Sequence, residues 1–294
     1  MTTVYPLNLH LGPLTVTGYG IMMMAGFLVG GWLIDRSIRA RGWNHDYAAD
    51  ITVAAVIGGV VGAKLWYVAA TGDAGSLFTR GGLVWYGGFI GGALAVLANG
   101  RRLNVPMRWT LELTAPALAA AYALGRVGCF VVNDDYGLPS TLPWSVKFPQ
   151  GLPATTAANL AHDFGIPIPA GVSPDTLLAV QPTQLYEVVL MTAAFMLLWR
   201  LRGHARSTGW LFGVYAVLAG TERFLVEFAR AKEDRLAVGL TLAQVMALGL
   251  VALGGILLAR WGKGETVEPG EYLGGKREIR ESGDQRIKGQ GRVP

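Results

Sequence analysis

Cysteine is nearly absent: Cys129 is the only one in 294 residues. A single thiol excludes an intramolecular disulfide framework and any metal site built on clustered cysteines. Charge is scarce too. Asp, Glu, Lys and Arg make up 15% of the chain, against roughly a quarter in a soluble domain. The histidines, His10, His45, His162 and His204, are scattered, with no spacing that suggests a metal or a catalytic triad. No internal repeat is visible, so an inverted-repeat transporter finds no support. What fills the chain instead is apolar: 52% hydrophobic residues and 41 glycines, with a mean hydropathy of +0.38. That balance excludes disorder, a coiled coil and a collagen-like chain. Because the apolar residues come in long runs, the fold class is all-α and polytopic in a membrane. The net charge of +5 then reads as loop charge that fixes orientation, with no nucleic-acid partner expected.

A bilayer core takes about 20 apolar residues as helix. Seven stretches qualify or nearly do: 15–35, 51–70, 82–99, 109–124, 182–199, 210–229 and 239–260. The fourth is short and the sixth carries charge. The first lacks a basic leader and runs on past signal-peptide length. Arg36, Arg39 and Arg41 follow the first run, Arg101, Arg102 and Arg108 separate the third from the fourth, and Arg200, Arg202 and Arg206 follow the fifth. Counting basic residues places these loops in the cytoplasm, with the N-terminus outside and the C-terminus inside. The 230–238 loop, with Arg230, Lys232 and Arg235, breaks that rule. Residues 1–262 thus form a seven-helix membrane domain whose outer segment is 125–181, with a short helix expected near Ala157–Phe164. Trp144 and Phe148 are expected to rest on the bilayer surface. The tail 263–294 reads as solvated and disordered.

With that topology, depth can be read along each run. Tyr19 opens the first, Lys64 lies near the end of the second, and Tyr86 enters the third. Arg126 stands just beyond the fourth, Gln184 and Glu187 open the fifth, Arg223 and Glu227 close the sixth, and Gln244 lies in the seventh. At 1.5 Å per residue, these fall within roughly 10 Å of the outer boundary. Ionisable groups in lipid cost at least about 2.5 kcal/mol each, so they face a cavity or one another. Arg223 and Glu227 share a helix face, with Arg230 a turn further on. One reading is a structural ion pair, with Lys64 extending its amine to the headgroups. The other is a cationic cavity for an anionic headgroup, to which the planar donor fork of arginine is suited.

The glycines Gly58, Gly59 and Gly62, and Gly87, Gly88, Gly91 and Gly92, form small-residue patterns that let membrane helices approach closely. Gly81-Gly82 also lets backbone approach a ligand. Gly125-Arg126-Val127-Gly128-Cys129-Phe130 is the most unusual stretch, since an arginine between glycines at a helix end can turn its guanidinium inward. Asn133-Asp134-Asp135-Tyr136-Gly137 follows. It reads as a surface turn or, less readily, as two carboxylates for a divalent cation. No metal site or cofactor is expected.

These motifs, in this order, resemble one family, the bacterial prolipoprotein diacylglyceryl transferases. The resemblance covers roughly residues 15–260. It rests on Tyr19-Gly20, Gly62-Ala63-Lys64, Gly82 through Gly92, Gly125-Arg126 through Gly137, Pro182-Thr183-Gln184-Leu185-Tyr186-Glu187 and Arg223-Phe224-Leu225-Val226-Glu227-Phe228. It implies a multi-pass plasma-membrane enzyme with phosphatidylglycerol, prolipoprotein signal peptides and the lipid bilayer as partners. Such an enzyme moves diacylglycerol to the lipobox cysteine of a prolipoprotein, forming a thioether and releasing glycerol phosphate. By that analogy Arg126 and Arg223 hold the phosphate, Glu227 orients Arg223, Tyr86 joins them in catalysis, and Gly137 shapes the site. Tyr19, Lys64, Gln184, Glu187, Arg230 and Gln244 complete the substrate site. The family commonly has His where Tyr86 stands, Asn at Cys129, Glu at Asp134, Arg at Lys64 and His at Gln181. A neutral tyrosine is a poor base, so these departures leave open a lipid-binding paralogue without activity, or a transferase with another acceptor.

Overall fold

The computed structural model describes residues 2–12, 14–78, 84–232, 236, 239–262 and 264–274. Gly81, Gly82, Arg235 and the end of the tail, 275–294, lie outside them. The order is β1 (Thr2–Thr3), β2 (Asn8–Leu11), β3 (Leu14–Thr17), α1 (Gly18–Arg39), α2 (Asp46–Thr71), a 3₁₀ turn at Ala74–Phe78, α3 (Trp85–Arg102) and α4 (Met107–Val131). Then come β4 (Val146–Lys147), α5 (Ala157–Phe164), α6 (Thr183–Leu201), α7 (Trp210–Glu227), α8 (Leu242–Trp261) and α9 (Gly270–Gly274). Among the described residues, five helices, α1, α2, α4, α6 and α8, are long and apolar enough to cross a membrane. The helices α3 and α7 have 18 residues each and carry arginines or glutamates.

The fourth helix differs from its sequence reading. It runs 25 residues to Val131 and carries Pro116 inside it, so Arg126 sits on the helix and not beyond it. The glycines around Arg126 do not end the helix, because they serve packing. A side chain at Gly128 would meet Met22 Cβ at 3.1 Å and the Tyr19 ring at 3.2 Å. The segment that follows therefore begins after Val131.

The chain divides into two compact units. The first holds residues 1–29, 115–205 and 210–263. Its helical core is built where Ala115, Ala119 and Ala123 of α4 meet Met191, Ala194 and Leu198 of α6 and Leu211 of α7. Small residues on α4 let the larger side chains of α6 and α7 seat against it. Between α7 and α8 the backbones touch, and a side chain at Gly220 would lie 2.7 Å from the Ala247 carbonyl. A second core joins Tyr136, Val146, Phe148, Leu160, Val180 and Ala231. Phe148 is fully buried there, stacked on Tyr136, so it does not rest on a bilayer surface; Trp144 is exposed. The helix α5 forms at Ala157–Phe164, where Thr156 caps the Asn159 N–H and Gly165 ends it in the left-handed region.

The second unit holds residues 30–114, 206–209 and 264 onward. The α2–α3 pair dominates it. A side chain at Gly58 would reach the Gly91 carbonyl at 2.6 Å, and one at Gly62 would reach Gly91 Cα at 2.8 Å. Small residues here allow backbone contact in place of side-chain packing. Residues 264–274 pack within this unit. Leu273 is fully buried, Tyr272 donates to Asp50 Oδ2 at 2.6 Å, and Trp109 Nε1 donates to the Val267 carbonyl at 2.7 Å. Backbone N–H groups add to these contacts: Glu265 N–H donates to Ser207 Oγ at 2.8 Å and Val267 N–H to Thr208 Oγ1 at 3.1 Å.

Candidate active site

Ionic residues from α4, α6, α7 and the turns after α4 and α7 converge in the first unit. Glu187 is their hub. One of its oxygens, Oε2, lies 2.6 Å from Arg126 Nε, and the other, Oε1, lies 3.0 Å from Arg223 Nη1. Arg223 Nη2 pairs with Glu227 Oε2 at 2.6 Å, one helical turn away. Arg126 Nη1 also binds Asp135 Oδ2 at 2.9 Å. The remaining Asp135 oxygen takes a short hydrogen bond from Arg230 Nη2. Arg230 Nε lies 3.5 Å from Glu227 Oε2, which closes the ring. Arg126, Arg223 and Arg230 thus balance Asp135, Glu187 and Glu227.

Burial decides which side of this ring is open. The side chains of Glu187 and Glu227 are essentially sealed, and Arg230 is 3% exposed. Arg126 at 13%, Arg223 at 21% and Asp135 at 32% form the accessible edge. Glu187 and Glu227 lie behind, and the open edge carries two guanidiniums beside the Asp135 carboxylate. Each guanidinium has five N–H donors. The pairs above engage Nε and Nη1 of Arg126 and both terminal nitrogens of Arg223.

The frame that holds the ring is local. Tyr122, one turn before Arg126, accepts from its Nε at 3.2 Å and places its ring 5.2 Å from the guanidinium carbon. Asn133 and Asp135 both adopt positive φ, at 62° each, which turns the chain sharply enough to aim Asp135 back at α4. Three bonds fix that turn. Gln184 Nε2 donates to the Asp134 carbonyl at 2.6 Å, Thr183 Oγ1 to the Asp135 carbonyl at 3.1 Å, and Asn133 Nδ2 to the Val4 carbonyl at 3.0 Å. Burial opposes ionisation of Asp135, but Arg230 and Arg126 override it and hold its carboxyl down at about 2. Its neighbour Asp134 goes the other way, raised by burial and by the Asp135 charge.

The other residues singled out from the sequence have definite places. Gly137 passes through a gap with no room for a side chain. A Cβ there would strike the Ala229 carbonyl and lie 2.7 Å from Thr183 Cγ2. Gly137 pairs with Arg230 in a backbone bridge, so its smallness sets where Arg230 starts. Gln244 caps α8: its Oε1 accepts the Thr241 N–H at 3.0 Å, and Thr241 Oγ1 accepts the Gln244 N–H at 3.2 Å. Thr241 Oγ1 also donates to Glu227 Oε1 at 3.1 Å. Gln184 and Gln244 are both buried and hold the frame. Tyr19 flanks Gly128 at the start of α1. Lys64, half-buried on α2, and Tyr86, in the first turn of α3, belong to the second unit.

Sequence reading missed Asp135, Tyr122 and Thr241 as members of this constellation. Thr241-x-x-Gln244 carries a capping-box spacing that marks the start of α8. Tyr122 lies i−4 from Arg126 on one helix face. Asp135 had no comparable signal, because its role depends on the positive-φ turn. Cys129 Sγ is 3.6 Å from Arg126 Nη1, and its thiol is only partly exposed.

A model of the prolipoprotein diacylglyceryl transferase family matches residues 6–260. The phosphatidylglycerol–prolipoprotein diacylglyceryl transferase of Clostridium tetani is 30% identical over 258 residues, covering 85% of this chain and 94% of that one. The enzyme of the same name from Paenarthrobacter aurescens is 34% identical over 245 residues, covering 79% and 74%. The one from Cupriavidus metallidurans is 31% identical over 287 residues, covering 89% and 96%. The chain belongs to the prolipoprotein diacylglyceryl transferase family.

Proposed function

We propose that this chain transfers diacylglycerol from phosphatidylglycerol to the lipobox cysteine of prolipoproteins, at an outer-leaflet site in the bacterial plasma membrane. The reading takes α1, α2, α3, α4, α6, α7 and α8 as seven spans, with the N-terminus outside and the C-terminus in the cytoplasm. The shorter α3 and α7 are counted among those spans. The observation that carries the reading is the Glu187 hub. Its two oxygens hold Arg126 and Arg223 in fixed positions side by side, with their guanidiniums on the accessible edge.

In this mechanism the headgroup phosphate docks against Arg126 and Arg223. The acceptor thiol passes its proton to a phosphate oxygen of the headgroup and attacks the glycerol carbon. A carbon–sulfur bond forms as the carbon–oxygen bond to phosphate breaks, and glycerol phosphate leaves with the electron pair. Charge grows on that leaving oxygen, so fixed guanidiniums in a dry site supply the main catalytic term. Glu227 and Arg230 hold Arg223 and Asp135, and Gly137 makes room for that arrangement. Signal peptides of prolipoproteins supply the thiol. Tyr86 and Lys64 act as a hydrogen-bond donor and a cation toward thiol or headgroup, and Tyr19 lines the lipid path. Cys129 is not a covalent carrier, since a thioether on it would be a poor leaving group and an inert end point.

Complementation is the test. Cells depleted of their own diacylglyceryl transferase should regain lipoprotein maturation when they express this chain. A well-inserted chain that fails to restore maturation, while still binding phosphatidylglycerol, would favour the lipid-binding paralogue.

A further inference from the structure

The N-terminal hairpin has an asymmetry that the transferase reading does not use. β2 and β3 pair antiparallel in the register Asn8↔Thr17, Leu9↔Val16 and His10↔Thr15. Side chains alternate across a strand, and directly paired residues share a face. One face of the ribbon therefore carries Leu9 and Val16, and Tyr5 and Leu7 continue the same parity on the approaching chain. The other carries Asn8, His10, Thr15 and Thr17, with His10 Nδ1 and Thr15 Oγ1 in contact at 3.1 Å. Tyr5, Leu7 and Leu9 are large apolar side chains left 64%, 45% and 45% exposed.

A two-stranded hairpin is marginal in water unless its apolar face is covered. The chain indicates what covers this one. Thr17 leads directly into Gly18 of α1, and Thr17 Oγ1 accepts the Gly20 N–H at 3.1 Å, capping that helix. Exposed Met24 and Leu28 then continue down α1, a membrane-spanning candidate. The apolar ribbon face is thus continuous with a lipid-facing helix. Its base is pinned to the same end of α4. Leu7 N–H donates to the Val131 carbonyl at 2.8 Å and Gly18 N–H to the Leu7 carbonyl at 2.7 Å. A side chain at Gly18 would lie 2.7 Å from Val131 Cγ2.

We propose that β2 and β3, with residues 5–7 leading into them, form an amphipathic β-ribbon that lies on the outer leaflet, its Leu7–Leu9–Val16 face in the lipid and its Asn8–His10–Thr15 face in water. Through Leu7 and Val131 the ribbon fixes the depth at which α4 presents Arg126 to the headgroups. This rests on the reading that the Gly18 end of α1 faces outward.

Spin labels report the alternation. Single cysteines at Leu7, Leu9 and Val16, and at Asn8, His10 and Thr15, are placed one at a time in full-length protein carrying Cys129→Ser. The protein is reconstituted in phosphatidylglycerol-containing vesicles. Labels at 7, 9 and 16 should collide more with oxygen than with a water-soluble nickel chelate, and labels at 8, 10 and 15 the reverse. Uniform aqueous accessibility at all six positions would overturn the proposal. So would dipolar broadening at position 9, which would mean that a second copy covers the face. Sidedness is read separately. A membrane-impermeant thiol reagent should modify His10→Cys in intact cells. Modification only after lysis, with the alternation intact, would contradict the outward orientation and leave the ribbon's lipid contact standing. Leu9→Glu should lower transfer several-fold and Leu9→Phe should not. Wild-type transfer by Leu9→Glu would refute the depth-setting role.

Discussion

The two units solve the problem of a membrane interior in opposite ways. In the first, α4, α6 and α7 bring charged side chains together, and Arg126, Arg223 and Arg230 pair with Asp135, Glu187 and Glu227. In the second, α2 and α3 bring backbones together through glycine, and the polar residues Lys64 and Tyr86 stand on helices whose contacts are otherwise small and apolar. A charged ring tolerates no missing member, because a buried ion without its partner costs about 3–5 kcal/mol. A glycine seam tolerates no added member, because there is no volume for one. The contrast sets an arginine–carboxylate ring in the first unit against a glycine seam in the second.

Removing the proposed phosphate ligands should have the largest effect. Arg126→Ala or Arg223→Ala is expected to lower transfer by at least about 10²–10³, the usual loss when one preorganised stabilising group is deleted. Immunoblots of membranes should still find the protein. Lysine should not rescue either site, since it lacks the two-pronged donor geometry.

Breaking the hub comes next. Glu187→Gln leaves Arg126 and Arg223 with weaker partners, and should cut both activity and thermal stability. The stability loss is expected at about 3 kcal/mol or more, read from unfolding in detergent. Glu187→Gln with unchanged stability and full transfer would show that the ring is not a unit.

Gly137→Ala tests the frame without touching charge. The added methyl meets the Ala229 carbonyl and Thr183, and overpacking of that kind costs about 1–3 kcal/mol. Transfer should fall through displacement of Arg230, while Gly42→Ala, at an exposed positive-φ turn of the second unit, should lower stability and spare the site. In that second unit, Tyr86→Phe should reduce transfer modestly, and Cys129→Ser in the first should retain most of it. A diacylglycerol mass on wild-type Cys129, together with loss of transfer in Cys129→Ser, would replace direct attack with a covalent route.

The smallest effect is a pH dependence. The Asp135 carboxyl is held at about 2, below its ordinary 3.8. A depressed carboxyl adds stability that is complete above the unfolded value and is lost as pH falls through the folded one. The stability difference between wild type and Asp135→Asn should therefore be constant above about pH 4 and shrink toward zero near pH 2.

Much of this was legible from the residues. Arg126, Glu187, Arg223, Glu227 and Arg230 declared themselves as charges too costly to leave unpaired in lipid. Thr241, three residues before Gln244, carried a capping-box spacing that went unread. Asp135 was harder to read, because a carboxylate two residues past an Asn resembles any surface turn until positive φ aims it inward. The length of α4 was misjudged because Gly125 and Gly128 resemble helix breakers. Their role is contact with α1, which only the packed structure reveals. The docking of Tyr272 and Leu273 was hidden for a related reason: average polarity says nothing about a few well-placed side chains.

Arg126 and Arg223 are proposed to hold one phosphate between them, and an experimental structure with a short-chain phosphatidylglycerol bound would read that contact. Phosphate oxygens should lie within about 3 Å of nitrogens on both guanidiniums, on the edge opposite Glu187. A phosphate bound at Lys64 alone, or by one arginine with the other more than about 15 Å away, far beyond hydrogen-bond reach, would contradict it.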